Sequence, residues 1–234
     1  MCFSLEASLV AGGGLVLLGG YCVAQTARAQ AKLLVVAVVP LIFGLQQLSE
    51  TVVWWGLGQG NPEVVRRSSL VFLFIALAFW PFWFPLTTAL LEERPVWKRA
   101  FLLGALASTA WFWILYFPLL LGSKDVLEVR VEHHSIHYEY GTLPIYRYVP
   151  RGLLRVLYFV SVAAPLALGG KALRGGWPLG LLLLASVVTS VLLFDYAFIS
   201  VWCFFAAGLS AYLVYMLHGL RRDIGTAGGE NRFS

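Results

Sequence analysis

Gln46, Glu50 and Trp54 follow one another at intervals of four residues, and Gln47 precedes Glu50 by three. On a helix all four side chains share one face. They lie in Leu33–Leu57, a run of 25 residues in which Glu50 is the one charge. That length and composition predict a membrane-spanning helix. An ionised group at such depth costs about 2.5–3.5 kcal/mol on insertion scales, so Glu50 is expected to face protein rather than lipid. Two amides and a carboxyl so placed can hold a proton, a cation or a metal, or anchor the polar head of a ligand. They can equally form an interhelical hydrogen-bond knot, with Glu50 protonated and the glutamines as its partners.

Other residues could contribute chemistry. Asp195 stands in the sequence FDYAF and joins Glu50 if that turn is tucked in; as a plain turn residue or helix N-cap it does not. Trp202 and Cys203 follow further along, and a lone buried cysteine ordinarily packs as a small apolar residue. The stretch Val126–Tyr140, VLEVRVEHHSIHYEY, alternates in a way that predicts β structure. It carries His133, His134 and His137, with Glu132 and Glu139 close by. Imidazoles at this spacing can bind zinc or another transition metal. In a strand His134 faces away from the other two, so threefold ligation requires a turn at Ser135. A solvated hairpin lid over the helices is the plainer reading. At the N-terminus, removal of Met1 would leave Cys2 with a free amine and thiol, a possible nucleophile or chelator. Glu6 lies four residues on; an ordinary interfacial end anchored by Phe3 is again the plainer reading. Trp80, Trp83, Trp111 and Trp113 either line a pocket for an isoprenoid, pigment or lipid tail, or pack in the core.

These residues must be positioned by membrane helices. The chain is 59% hydrophobic and 12% charged over 234 residues, where a soluble domain carries about 25% charge. The apolar runs predict an all-α, seven-helix transmembrane bundle over residues 1–220. Its spans are Glu6–Ala24, Leu33–Leu57, Ser69–Leu91, Phe101–Leu121, Leu153–Gly170, Trp177–Phe194 and Phe198–Leu217. Residues 122–150 form a β-like extracytoplasmic loop between the fourth and fifth spans, and 221–234 a flexible cytoplasmic tail. The glycines of the first span predict close helix packing. Its leader, MCFSLE, lacks the basic residues of a signal peptide, which predicts an uncleaved helix. Pro81 and Pro85 are expected to bend the third span or end it early. With the N-terminus outside, ten Lys and Arg fall on the cytoplasmic side and seven on the other. That asymmetry predicts an N-out, C-in orientation in the plasma membrane. The basic residues occupy short loops, so the net charge of +5 reads as a topology signal rather than a nucleic-acid surface. Three cysteines in no paired motif exclude a disulfide framework.

The segments MCFSLEAS, QQLSETVVWWGL, HSIHYEYG and VWCFFAAGLS, in this order, resemble an uncharacterised bacterial multi-pass membrane family. Its members typically begin Met-Cys-Phe-Ser. They carry a His/Gln-Gln-x-x-Glu element ahead of a Trp in the second span, and a Trp-Cys element in the last. The resemblance implies a seven-span fold and no known activity. It falls on Cys2, Phe3, Ser4, Gln46, Gln47, Glu50, Trp202 and Cys203. This chain has Gln46 where relatives place a histidine, which weakens a metal site at that position.

Three classes of function fit. The first is a binding or accessory subunit that packs against other membrane proteins or holds a lipid or pigment. The second is a membrane-embedded metal-dependent hydrolase, which would have to recruit loop histidines because the spans hold none in their bodies. The third is a proton- or cation-coupled transporter or sensor in which Glu50 titrates. A retinal-type receptor is disfavoured by the absence of a lysine within the last span. Walker, dinucleotide and haem-attachment motifs are all absent.

Overall fold

The computed structural model describes residues 4–29, 31–122, 126–132 and 134–169, with position 185 alone beyond them. Among the described residues, five helices are long and apolar enough to cross a membrane. These are α1 (Leu5–Arg28), α2 (Ala31–Gly58), α3 (Pro62–Leu91), α4 (Pro95–Leu121) and α5 (Arg151–Leu168). The spans expected at 177–194 and 198–217, and the tail from 221, lie outside the described residues. So do Cys2, His133, Asp195, Trp202 and Cys203.

Two helices begin earlier than their apolar runs. The α3 helix starts at Pro62 rather than Ser69, because Asn61 caps it: its Oδ1 accepts from the Val64 amide at 3.2 Å. Proline at the first position and an acid, Glu63, in the first turn complete a strong start signal. The α4 helix likewise begins at Pro95, ahead of Lys98 and Arg99. Charged first turns extend a helix beyond the part that hydropathy detects.

The α1–α2 seam is built by small residues. A Cβ on Gly19 would stand 2.6 Å from Leu41 Cα, and one on Gly44 2.7 Å from the Val16 amide nitrogen. Gly12 meets Leu48 in the same way. With no side chain between them the two backbones touch, as packing in lipid favours. Gly13, Gly14 and Gly20 have open space beside them, so only part of the glycine content builds the seam.

The prolines do not end α3. They alter its winding. Residues Phe74–Phe79 form a π-helical stretch immediately ahead of Pro81, and the Trp80 amide donates to the Ile75 carbonyl, five residues back. The Ala76 carbonyl therefore loses Trp80 as its α-helical donor, and Pro81, its next candidate, has no N–H. The Tyr158 hydroxyl of α5 donates to it instead. The same pattern recurs in α4, where Phe112–Tyr116 is π-helical just ahead of Pro118. The two widened stretches meet through Phe74, whose ring lies 5.2 Å from Tyr116 and 6.5 Å from Phe112.

Between α4 and α5 the chain forms an antiparallel hairpin, β1 (Glu128–Glu132) and β2 (Ser135–Glu139). Glu132 pairs with Ser135, and His134, in the turn between them, takes a left-handed backbone at φ 60°. A two-residue hairpin loop requires such a conformation. Arg66 of α3 ties this end together by donating to the carbonyl of Gly122 at 3.2 Å, just past the C-terminus of α4. At the opposite end, Arg94 chelates Glu92 in the α3–α4 turn, with bonds of 2.7 and 2.9 Å. It also donates to the Leu168 carbonyl at the end of α5.

Candidate functional site

Gln46, Gln47 and Glu50 are all 0% exposed, although they are the polar residues at the heart of α2's apolar run. The helix places them on one side, and the bundle closes over that side. Glu50 is eight residues from the Gly58 end of α2, about 12 Å along the axis at 1.5 Å per residue. The burial expected from the cost of a charge in lipid is therefore met.

The bonds that hold the cluster run to specific neighbours. The indole N–H of Trp80 in α3 donates to Gln46 Oε1 at 2.8 Å. The Trp80 ring stacks on Phe43 of α2, with centroids 3.9 Å apart, and on Phe84 at 5.3 Å. Gln46 is thus fixed by a fully buried indole that is itself clamped between two rings. The Ser49 and Thr51 hydroxyls donate to the backbone carbonyls of Gln46 and Gln47 at 2.6 and 3.1 Å. Neither hydroxyl is aimed at the carboxyl through these bonds. Above Glu50, Tyr138 of β2 points its hydroxyl at Oε1 from 3.5 Å, the outer limit for a hydrogen bond. Its ring stacks on Phe72 of α3 at 5.0 Å and 13°.

Strand periodicity explains how a loop residue reaches this depth. Side chains two apart on a strand share a face. Ile136 and Tyr138 are buried together, while His137 and Glu139 occupy the other face. On that face His137 Nδ1 lies 2.7 Å from Glu132 Oε2, and its Nε2 lies 3.4 Å from Glu139 Oε2. Arg130, opposite His137 in the hairpin, contacts Glu128 and Glu132. At the base of the lid Tyr140 stacks on Tyr146, and Arg151 lies over the Tyr146 ring at 5.1 Å. Burial holds the Tyr146 phenol above its ordinary pKa.

The remaining candidate residues fall as follows. Trp54 lies one turn beyond Glu50 on α2 and is half-buried. His134 is exposed at the hairpin tip and His137 is on the strand, and Ser135, where threefold ligation required a turn, is already paired in β2. Among the described residues no three His, Cys, Asp or Glu side chains are grouped to hold a metal ion. Glu6 is exposed in the first turn of α1. Of the tryptophans set aside as pocket or core, Trp80, Trp83 and Trp111 have satisfied N–H groups: Trp83 donates to the Val35 carbonyl at 3.1 Å and Trp111 to Ser161 at 3.2 Å. Trp113 points outward and is 59% exposed. Phe72 and Tyr138 complete the site without having been singled out in the sequence, and Trp80, offered there as pocket or core, supplies its indole donor. The one signal for Tyr138 was its alternation with Ile136.

These features define a helical membrane protein with a carboxyl–amide cluster buried in its bundle beneath a β-hairpin. The chain belongs to the family of unknown function DUF6629, whose model matches residues 1–227. No curated protein and no solved structure matches it.

Proposed function

We propose that this is a membrane binding protein, acting alone or as an accessory subunit, that holds the polar end of a lipid-soluble molecule at the Glu50 cluster. The observation that carries this is the contact between Glu50 and Tyr138. A separate loop sends a phenol down to a carboxyl buried in the bundle. A purely structural knot between helices needs no such lid. The aromatic walls, Phe43 with Trp80 and Phe72 with Tyr138, are suited to a ring or an unsaturated tail. The hairpin end would face away from the cytoplasm of a bacterial cell, in keeping with the ten-to-seven distribution of Lys and Arg.

The test is mass spectrometry of the protein purified in mild detergent. One small molecule per chain should be released from the wild type and be depleted in Glu50→Gln and Tyr138→Phe. Equal recovery from all three proteins would refute the site. A second reading, in which Glu50 carries protons for a transporter or sensor, is supported by the nature of the same contact. A phenol can accept from a protonated carboxyl or donate to an ionised one, so both states are accommodated.

A further inference from the structure

The half-buried Trp54 carries a polar atom that the cluster does not use. Its Nε1 is buried and meets no hydrogen-bond partner among the described residues. Indole nitrogen is a donor only, and native structures leave few buried donors unsatisfied. In a helix an aromatic side chain leans back toward the residue four positions earlier. For Trp54 that residue is Glu50. Side chains at this spacing are neighbours, about 5–6 Å apart at Cβ. On α3, Ser69 lies one turn from Phe72, whose ring backs Tyr138. Its hydroxyl is also buried and meets no partner among the described residues.

Charge narrows the choice of oxygen. The cluster contains a carboxyl, which repels a phosphate or sulfate. Four of the six described arginines at this end already have acceptors, and Arg147 is exposed. Arg66 binds the Gly122 carbonyl, Arg67 binds Glu63, Arg130 binds Glu128 and Glu132, and Arg151 binds Glu139. Access narrows it further. Val52 and Trp55, beside Trp54, are about half exposed on the apolar outside of α2. A chain lying along that surface could pass its head beneath the Trp54 ring.

Resting on the binding reading above, we propose that the site takes a neutral lipid alcohol. Its hydroxyl oxygen accepts the Trp54 indole N–H and its proton is donated to the Glu50 carboxyl, an oxygen acceptor. The same chemistry could come from a trapped water, and the experiment separates the two.

Full-length protein in detergent is titrated with tritiated hexadecanol and, separately, with tritiated hexadecyl phosphate. The proteins are wild type, Trp54→Phe, and Trp113→Phe as a control on the exposed side of α4, each checked for an unchanged melting temperature. Saturable binding of one alcohol per chain is expected, with at least ~10-fold weaker binding of the phosphate and of the alcohol to Trp54→Phe, the loss of about one hydrogen bond. Trp113→Phe should match wild type. Phosphate binding as well as or better than the alcohol would overturn the alcohol while leaving a lipid site in place. Alcohol binding unchanged in Trp54→Phe would assign the indole to a water and overturn the proposal. Absence of saturable binding by either probe would overturn both this proposal and the binding reading beneath it.

Discussion

Glu50 and Glu92 are both nearly inaccessible, 0% and 5% exposed, yet the protein treats them in opposite ways. Glu92 sits in the α3–α4 turn and is gripped by a guanidinium through two side-chain bonds, with a third from the Arg94 backbone amide at 3.0 Å. Its ionised form is thereby stabilised, and the Arg94 hydrogen bonds hold its pKa down at about 2. Glu50 lies within the bundle among amides, aromatic rings and a phenol. One carboxylate is fixed in a single charge state and its work is to fasten helix ends. The other is surrounded by groups that accommodate either state. Burial alone does not separate a structural acid from a functional one; the chemistry of the neighbours does.

This contrast can be broken or sharpened by experiment. The largest effect should come from Trp80→Ala, which removes a fully buried indole and strands Gln46; a loss of about 3–5 kcal/mol is expected, seen as a large drop in melting temperature. If the loss is small, the Glu50 end is not held by packing as described. Arg94→Ala should follow, at about 1–2 kcal/mol, because it removes charge-assisted bonds from an arginine that is partly solvated. A smaller and pH-dependent effect concerns Glu92. Its folded pKa is depressed, so its contribution is present above the ordinary value of 4.5 and is lost as pH falls toward about 2. Melting temperature measured across that window should fall more steeply in wild type than in Glu92→Gln; parallel curves would show that the ion pair does not report on folding. The smallest stability change, less than about 1 kcal/mol, is expected for Glu50→Gln, since glutamine keeps the volume and can still accept from Tyr138. A destabilisation as large as that of Arg94→Ala would make Glu50 a second structural charge and erase the contrast.

Much of this was readable from the chain. Hydropathy located all five described spans, and the spacing of Gln46, Gln47 and Glu50 placed them on one buried side before any coordinates. Alternation in 126–140 announced the hairpin. What it could not show is who meets whom. Trp80 is 34 residues from Gln46, and Tyr138 is 88 from Glu50. Such pairings depend on which helices adjoin, and a one-dimensional pattern carries no record of that. The starts of α3 and α4 were placed late because charged first turns carry no apolar signal. The α3 helix does not stop at its prolines, and the change of winding that accommodates them depends on a tyrosine 82 positions from the carbonyl it serves.

That last arrangement makes two distant positions interdependent. The proline at 81 creates a need that the tyrosine at 158 meets. A lineage that lost the proline would find the tyrosine dispensable, whereas one that lost the tyrosine first would pass through a damaged intermediate. The order in which these two sites can drift is therefore written into the winding of a single helix.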